Sequence, residues 1–421
     1  MSVVLEAIEA KKRGGTLPEE VIRDVVAGFT EGSVPDYQMS ALLMAVFIRG
    51  MTYTETLALT RAMAESGETY SFPESVDKHS TGGVGDKVSL TSLPIVAACG
   101  APVAKLSGRG LGTTGGTIDK LESIPGFSVG LSEERFRRQV DEIGLAIVEA
   151  GDLAPADKAI YALRDTTGTV DSLPLIGSSI VSKKAATGAG HLLYDVRRGS
   201  GAFMKTPEEA RELARLLVHL SESMDIRASA LITNMDTPLG GAVGNALAVR
   251  ESARFLSGDP VPEDLAHEAR AVAAKLLELK GEKGPHEAVE KALSSGAAYE
   301  KLERFVHAQG GGPDALENLP ISDTIREVPA PRGGYVTGVA ALAVGRAALA
   351  LGAGRKKKTD KIDPAAGVEL LAKPGDRVET GDLIARLHGD REAEQAERLI
   401  LEALEIGDEP PEPAPAILDD L

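Results

Sequence analysis

Two glycine-rich stretches constrain the fold of this chain more than any other feature. They read DKHSTGGVGDKVSL at residues 77–90 and KLSGRGLGTTGGTIDKLE at residues 105–122. From about residue 70, such stretches alternate with helical segments and with short apolar runs. These runs predict strands at residues 92–98, 103–106, 146–148 and 228–232. Strands and helices that alternate along a chain are typical of an α/β domain with glycine-rich connecting loops.

The sequence on either side of these loops predicts helices instead. Apolar residues recur at helical spacing through residues 1–66, which favours about four helices, and through residues 157–188. We therefore expect an all-helical domain that is split in the sequence by an α/β domain with a mixed sheet. The predicted bounds are 1–66 and 157–188 for the helical domain, and 67–156 and 189–329 for the α/β domain.

A C-terminal α+β part is predicted for residues 330–421. It contains GVELLAKPGDRVETGDLIARLHG, whose PGD and TGD turns predict a small β-rich module. The module resembles barrel-sandwich elements of biotinyl and lipoyl carriers, but a carrier needs an exposed turn lysine and these turns have aspartate. Residues 355–358, RKKK, predict a solvated loop or helix end, and the proline- and acid-rich tail predicts a flexible end or a short strand.

Composition excludes several classes of partner. A net charge of -17 argues against a broad nucleic-acid or anionic-membrane surface. The single cysteine, Cys99, cannot form an intrachain disulfide, and no CxxC pair suggests a zinc site. No signal peptide or long apolar segment is recognisable, so we expect a cytoplasmic protein. Few Asn and Gln with abundant Glu and Arg suggest a heat-adapted source.

The glycine-rich stretches suit phosphate. Glycines let successive N–H groups point inward and form an anion nest, to which Lys78 adds a charge and Ser80 and Ser89 add hydroxyls. In the second stretch, Ser107 and Thr117 can donate similarly. Residues 78–120 carry five basic and two acidic side chains, a local charge of +3. Neither stretch fits a Walker P-loop or a dinucleotide-binding fingerprint.

A third stretch, DKAIYALRDTTGTVDSLPLIGSSIVSKK at residues 157–184, places charged and polar side chains on helical faces. Tyr161 and Arg164 are three residues apart, and Ser179 and Lys183 are four apart. Arg164 can offer a planar pair of donors to a heterocyclic carbonyl, and Lys183 a point charge to a neighbouring acceptor. Surface salt bridging is the simpler interpretation of this spacing alone.

Together, these three stretches resemble the thymidine and pyrimidine-nucleoside phosphorylases, in family order and over most of the chain. The resemblance implies reversible phosphorolysis of pyrimidine nucleosides to a free base and a pentose 1-phosphate. It implies no organic cofactor, with inorganic phosphate as co-substrate. Phosphate ligands would be Lys78, Ser80, Ser89, Ser107 and Thr117, and base-binding residues His79, Lys105, Tyr161, Arg164, Ser179 and Lys183.

The resemblance also suggests roles for these residues. Arg164 and Lys183 would stabilise the charge that develops on the departing base, and His79 would hydrogen-bond or protonate it. Lysine rather than methionine at position 105 accompanies acceptance of uridine as well as thymidine. Thr113 replaces a histidine that is common in the family, which leaves that histidine's loop-ordering role in doubt.

The resemblance further implies a homodimer formed through the helical domain. It also implies a candidate site for a monovalent cation such as K⁺. The matching positions are Gly85, Lys87, Leu239, Ala242 and Glu251. Lys87 stands where relatives have a threonine ligand, so its ammonium could occupy the position of the ion.

Three alternatives remain at this point. An anthranilate phosphoribosyltransferase-like enzyme would share the split architecture and need magnesium with a pyrophosphorylated sugar. A nucleoside or phosphate sensor would bind without turnover. Hydrolysis by two carboxylates, Asp86 and Asp119, is a third chemistry, although their lysine-rich surroundings suit phosphate better.

Overall fold

The structure is a computed structural model that describes residues 2–110, 112–113, 115–149, 151, 153–357 and 359–421. Its helices are α1 (Val3–Lys12), α2 (Glu19–Thr30), α3 (Asp36–Arg49), α4 (Tyr53–Ala64), α5 (Val88–Ala98), α6 (Thr117–Glu122), α7 (Glu133–Ile143), α8 (Pro155–Thr167), α9 (Leu173–Thr187), α10 (Pro207–Glu222), α11 (Ala246–Ser257), α12 (Glu263–Lys280), α13 (Pro285–Ser294), α14 (Ala297–Ala308), α15 (Ala341–Leu351) and α16 (Ala393–Ala403). In these described ranges, every helix is too short or too polar to cross a lipid bilayer.

The strands form one large and two small sheets. They are β1 (Phe72–Ser80), β2 (Val103–Ser107), β3 (Leu145–Glu149), β4 (Ala189–Arg198), β5 (Arg227–Asn234), β6 (Ala242–Gly244), β7 (Ile325–Pro329), β8 (Gly334–Val339), β9 (Gly367–Leu370), β10 (Arg377–Val378), β11 (Leu383–His388), β12 (Leu404–Gly407) and β13 (Ile417–Asp420). The large sheet has the order β13-β5-β4-β1-β2-β3, with β1, β2 and β3 parallel and β13 antiparallel to β5. This confirms the predicted mixed sheet.

The chain divides into two compact units. We call the first, comprising Met1–Ser75, Ala150–Leu192 and Glu212–Ser229, the helical unit, and the second, comprising Val76–Glu149, Leu193–Arg211 and Ala230–Leu421, the α/β unit. Residues 212–229 thus group with the helical unit, whereas the predicted bounds assigned them to the α/β domain.

The helical unit has its own core. Helices α1 to α4 confirm the prediction of four helices in the first 66 residues, and α8 and α9 confirm the second helical segment. Buried residues such as Ile22 and Met39 pack with Ile160 and Leu175 from that second segment. The two segments share one core because neither can bury its apolar face alone.

The α/β unit contains the one strand prediction that is wrong. Residues 92–98 lie inside helix α5, not in a strand. The helix is buried on every side, between β2, β3 and helices such as α12 and α14, so its sequence contains no charged residue, has no polar face and lacks a helical period. A short, largely apolar run cannot be assigned to strand or helix by periodicity.

The C-terminal region of the α/β unit contains the two small antiparallel sheets, with orders β10-β8-β12 and β6-β9-β11-β7. Strands β9, β10 and β11 confirm the β-rich module. The acidic tail ends in strand β13, which pairs with β5 at the edge of the large sheet. Of the two structures predicted for the tail, the short strand is therefore correct.

Candidate active site

Lys78 lies two residues before the end of β1 and is fully buried. Its Nζ lies 2.8 Å from Oδ2 of Asp195 on β4 and 3.7 Å from Oδ1 of Asp86 in the following loop. The hydroxyl of Thr233 donates to the other oxygen of Asp195 at 2.6 Å. A buried ammonium is tolerated only with such partners. Lys78 is thus held beside the first glycine-rich loop by carboxylates from two elements.

The guanidinium of Arg197 on β4, also fully buried, joins three carboxylates. It lies 2.8 Å from Asp195 and 3.2 Å from Asp86, and it binds both oxygens of Glu268 on α12 at 2.6 and 2.9 Å. Burial alone would raise the pKa of Asp86, but Arg197 and Lys78 hold that pKa well below its usual range. Burial raises the pKa of Glu268, although Arg197 opposes the change. Through Asp86, this network anchors the loop that follows β1.

The hydroxyls predicted to bind phosphate lie where loops meet regular elements. Ser80 ends β1, and its Oγ accepts a hydrogen bond from the N–H of Gly82 at 3.2 Å. Ser89 is buried in the first turn of α5. Ser107 is the last residue of β2 and Thr117 is the first residue of α6, and both are half-buried. All four belong to the α/β unit, as does Lys78.

Each loop needs glycine at a position of close backbone approach. Gly85 has a φ of +75°, and a Cβ there would lie 2.6 Å from the carbonyl oxygen of Leu239. A Cβ at Gly116 would lie 2.2 Å from the nitrogen of Gly110. Side chains are therefore excluded by the backbone itself. Leu111 and Thr114 of the second loop lie outside the described residues.

The second loop is held by Arg355, which the sequence analysis assigned to a solvated segment. Its Nη1 donates to Oδ1 of Asp119 at 2.8 Å and to the carbonyl of Gly110 at 3.3 Å. Asp119 accepts the N–H of Gly110 at 2.7 Å, and the N–H of Gly112 donates to the carbonyl of Arg355 at 2.9 Å. The prediction of a solvated segment is wrong for Arg355 and holds for exposed Lys356. Lys358 lies outside the described residues.

Lys105, the predicted specificity residue, is buried on β2. Its Nζ lies 3.3 Å from Oδ1 of Asp77 and donates to the carbonyl of Lys78. These bonds join β2 to the segment of β1 that carries His79. The ring of His79, half-buried, packs edge-on against Tyr194, with centroids 6.3 Å apart.

Four of the six predicted base-binding residues lie close together in the helical unit, on α8 and α9, whereas His79 and Lys105 belong to the α/β unit. Nζ of Lys183 lies 2.6 Å from Oδ2 of Asp157 and 2.9 Å from Oγ of Ser179. It also lies 6.0 Å from the ring centroid of Tyr161, and Cζ of Arg164 lies 5.7 Å from the same centroid. The side chain of Lys183 is 33% exposed. Two cations therefore flank one aromatic ring, beside a single buried carboxylate.

Arg164 makes hydrogen bonds to the main chain that the sequence pattern did not predict. It is buried, and its guanidinium donates to the carbonyls of Thr169, Val170 and Leu175 at 3.3, 2.8 and 2.9 Å. Burial lowers the pKa of Arg164, and the charge of Asp157 opposes this change. Three of its five N–H donors thus bind the loop between α8 and α9 and the first turn of α9, and among the described residues the other two remain for another acceptor.

The candidate cation position contains an ammonium. Nζ of Lys87, which is buried, donates to the carbonyl of Leu239 at 2.7 Å and lies 2.8 Å from Oε2 of Glu251. Glu251 also accepts the N–H groups of Gly241 and Ala242 at 2.8 and 3.1 Å. Among the described residues, no cluster of three or more His, Cys, Asp or Glu side chains could hold a metal ion.

Comparison with known proteins identifies the family. Residues 73–299 match the "Glycosyl transferase family, a/b domain", residues 5–67 the "Glycosyl transferase family, helical bundle domain", and residues 335–407 the "Pyrimidine nucleoside phosphorylase C-terminal domain". The chain is 46% identical over 420 residues to a thymidine phosphorylase of Mycobacterium tuberculosis, covering 98% of this chain and 97% of that one. The chain belongs to the thymidine and pyrimidine-nucleoside phosphorylase family. The resemblance inferred from the three stretches is thereby confirmed.

Other similarities agree with this assignment to the phosphorylase family. A pyrimidine-nucleoside phosphorylase of Geobacillus stearothermophilus is 44% identical over 401 residues, covering 92% of each chain. A solved structure of an anthranilate phosphoribosyltransferase from Thermus thermophilus matches with a TM-score of 0.58 and 22% identity, covering 72% of this chain and 99% of that one. At this identity the second similarity shows a shared fold alone.

Proposed function

We propose that this protein catalyses the reversible phosphorolysis of pyrimidine nucleosides such as uridine, thymidine and deoxyuridine. Phosphate replaces the base at C1′ of the sugar, so the products are the free pyrimidine and ribose or deoxyribose 1-phosphate. The observation that carries the proposal is the 44–46% identity to phosphorylases over more than nine-tenths of the chain. The three motif stretches lie within that length.

The proposal assigns phosphate to the α/β unit. Lys78 supplies the charge, and Ser80, Ser89, Ser107 and Thr117 supply hydroxyl donors. The network around Arg197 supports this assignment, because a group that binds an anion strongly must already be oriented. No organic cofactor is needed, since phosphate is itself the nucleophile.

The base is assigned to His79, Tyr161, Arg164, Ser179 and Lys183. As the glycosidic bond breaks, negative charge grows on the base, and the ammonium of Lys183 stabilises it. The pairing of Lys183 with Asp157 and Ser179 supports this role by fixing the ammonium on α9. Arg164 contributes through its two remaining donors and through the loop that it orders, and His79 hydrogen-bonds or protonates the base.

Lys105 is assigned to substrate selection, with broad pyrimidine use. Its bonds to Asp77 and to the main chain of Lys78 suggest that it acts by positioning β1 beside His79. Replacing Lys105 with methionine should shift the ratio of uridine to thymidine rates toward thymidine by several-fold. An unchanged ratio would contradict the assignment.

At the cation position we propose that Lys87 supplies the positive charge that a bound K⁺ would otherwise provide. The bonds of Lys87 to Leu239 and Glu251 support this, because both residues belong to the candidate ligand set. Activity should then be the same in potassium, sodium and tetramethylammonium buffers. A requirement for K⁺ would contradict the proposal.

We further propose a cytoplasmic homodimer that associates through the helical unit. Apolar side chains remain exposed on two helices that pack together there, with Val3 and Leu5 on α1 and Tyr37, Phe47 and Ile48 on α3. Exposed apolar side chains of this kind favour association with a second copy. Sedimentation equilibrium of the full chain measures the mass directly.

One assay tests the main proposal. The protein is incubated with uridine or thymidine, with and without inorganic phosphate, and release of the base is followed by absorbance. We expect release only with phosphate. Release without phosphate would indicate hydrolysis, and no release would favour a sensor. Activity only with a pyrophosphorylated sugar, magnesium and an aromatic amine would favour the phosphoribosyltransferase.

A further inference from the structure

Lys120 is a buried lysine that the reaction described above does not use. It lies on α6, three residues after Thr117, and is 3% exposed. Helical side chains lean toward the amino-terminal end, so Lys120 extends toward the turn that carries Thr117. Its Nζ lies 3.4 Å from the carbonyl oxygen of Gly116, and a Cβ at Gly115 would lie 2.9 Å from it. The ammonium therefore lies directly against the second glycine-rich loop.

The pairing of Lys120 differs from that of its neighbours. The Nζ atoms of Lys78, Lys87 and Lys105, also buried, lie 2.8, 2.8 and 3.3 Å from a carboxylate oxygen. In the part of the chain that the structure describes, Nζ of Lys120 has no carboxylate within 4.0 Å, and the long bond to Gly116 is its one hydrogen bond. Of these four buried lysines, Lys78, Lys87 and Lys105 thus have an anionic partner, and Lys120 has none among the described residues.

This unpaired charge has an energetic cost. Burial lowers the pKa of Lys120 to about 8, with Asp86 and Asp119 opposing the change and Lys87 and Lys78 adding to it. Lys120 is therefore still largely charged at pH 7. A buried charge without a partner destabilises a fold, and a hydrophobic residue of similar size would be more stable there. Lys120 therefore does not contribute to the stability of the unliganded protein.

We propose that Lys120 binds the phosphate group directly, as a further ligand beside Thr117. This inference rests on the proposed function. The anion is inorganic phosphate in one direction of the reaction and the phosphate of the pentose 1-phosphate in the other. The anion supplies the negatively charged partner that the ammonium of Lys120 lacks among the described residues. The carbonyl of Gly116 holds the ammonium in place until the anion binds.

The test combines binding with stability, using the full chain and inorganic phosphate as the probe. Lys120→Met is compared with wild type by isothermal titration calorimetry at pH 7, and by thermal unfolding without phosphate. We expect phosphate to bind roughly ten- to hundredfold more weakly to the variant, since a charge-assisted hydrogen bond is lost. We also expect its melting temperature to rise. Lys120→Gln, which removes the same charge, should show the same loss of affinity.

Two control variants separate this role from a structural one. Lys11 is also buried, but its Nζ lies 2.7 Å from Glu55 in the helical unit. Lys11→Met should lower the melting temperature and leave phosphate affinity unchanged. Arg109 lies in the same loop as Gly116, but is part-exposed and already paired with Glu122. Arg109→Met should change phosphate affinity by less than about threefold.

The outcomes distinguish this inference from the proposed function. If wild type releases base with phosphate and Lys120→Met keeps wild-type affinity for phosphate, the assignment of Lys120 is wrong while the proposed function stands. A lower melting temperature or failure to fold in Lys120→Met would also overturn it, because the lysine would then be structural. If wild type itself binds no phosphate and releases no base, both the inference and the proposed function fail.

Discussion

The charged cluster around Lys78 and Arg197 in the α/β unit and the cluster around Lys183 and Arg164 in the helical unit are built in opposite ways. In the α/β unit, Lys78 and Arg197 are fully buried, and carboxylates from a strand, a loop and a helix surround them. In the helical unit, Lys183 is a third exposed and has one carboxylate partner, and Arg164 is bound to main-chain carbonyls.

The difference fits the two tasks proposed for the clusters. Phosphate carries its charge before, during and after the reaction, so a rigid network of fixed charges suits it. The base becomes charged only as the glycosidic bond breaks. A cation with few competing carboxylates is then more useful, because its field is not cancelled beforehand. Four predictions test this contrast.

The largest effect is expected from breaking the buried network. Arg197→Met would leave Asp86, Asp195 and Glu268 without their shared cation, and should lower the free energy of unfolding by about 3–5 kcal/mol. Arg211 provides the control, because its ion pair with Asp419 is partly exposed rather than buried. Arg211→Met should leave the free energy of unfolding nearly unchanged, because exposed ion pairs contribute little to stability. Urea unfolding measures both, and equal losses would remove the contrast between buried and exposed pairs.

The helical cluster should show the reverse behaviour, with loss of rate and little loss of stability. Lys183→Met should lower kcat/KM for thymidine phosphorolysis roughly 100- to 1000-fold, because the charge that forms in the transition state loses its partner. The affinity for phosphate should change by less than about twofold. Lys158→Met, which removes an exposed lysine on α8, is the control and should keep near-normal kcat/KM. A loss confined to phosphate affinity would show that the two clusters do not divide the substrates as proposed.

The pH dependence of the free energy of unfolding tests whether Lys120 is a buried charge without an anionic partner. The pKa of Lys120 is lowered from 10.5 to about 8 in the folded state. Below about pH 8 both states hold the proton, and the folded state carries the full cost. As pH rises toward 10.5, the folded state loses the proton first and the cost disappears. The free energy of unfolding of Lys120→Met should therefore exceed that of wild type by about 3 kcal/mol at most at pH 7. The difference should become progressively smaller up to about pH 10.

Urea unfolding at about pH 7, 8, 9 and 10 measures this difference. Taking the difference between variant and wild type cancels other groups that titrate in the same range. A difference that stays constant with pH would show that Lys120 has an ordinary pKa.

The smallest effect is expected at the second glycine loop. Arg355→Met removes the bonds to Asp119 and Gly110, and should lower the free energy of unfolding by about 1–2 kcal/mol and raise KM for phosphate several-fold. Lys356→Met is the control, because its ion pair with Glu392 is exposed. Steady-state kinetics at varied phosphate distinguishes the two. An unchanged KM would show that the loop keeps its geometry without Arg355.

Much of the fold and of the candidate site could be predicted from local patterns. The split helical domain followed from helical periodicity, and the α/β domain from the alternation of apolar runs with glycine-rich loops and helical segments. The two glycine-rich loops could be recognised in the sequence because the backbone leaves no room for a Cβ at Gly85 and Gly116, so only glycine fits at these positions. The wrong strand prediction at residues 92–98 also comes from local patterns, because a helix that is buried on all sides shows no helical period in its sequence.

The sequence by itself determined the family of this protein, the order of its helices and most of its strands, and which side chains are candidates for binding phosphate and base. Only the tertiary structure decided which charges are paired. Arg197 meets Glu268 across 71 residues and Arg355 meets Asp119 across 236, whereas Lys120 meets no carboxylate among the described residues. The physical reason is that burial and ion pairing depend on distances between residues far apart in the chain, and local residue patterns contain no record of those distances.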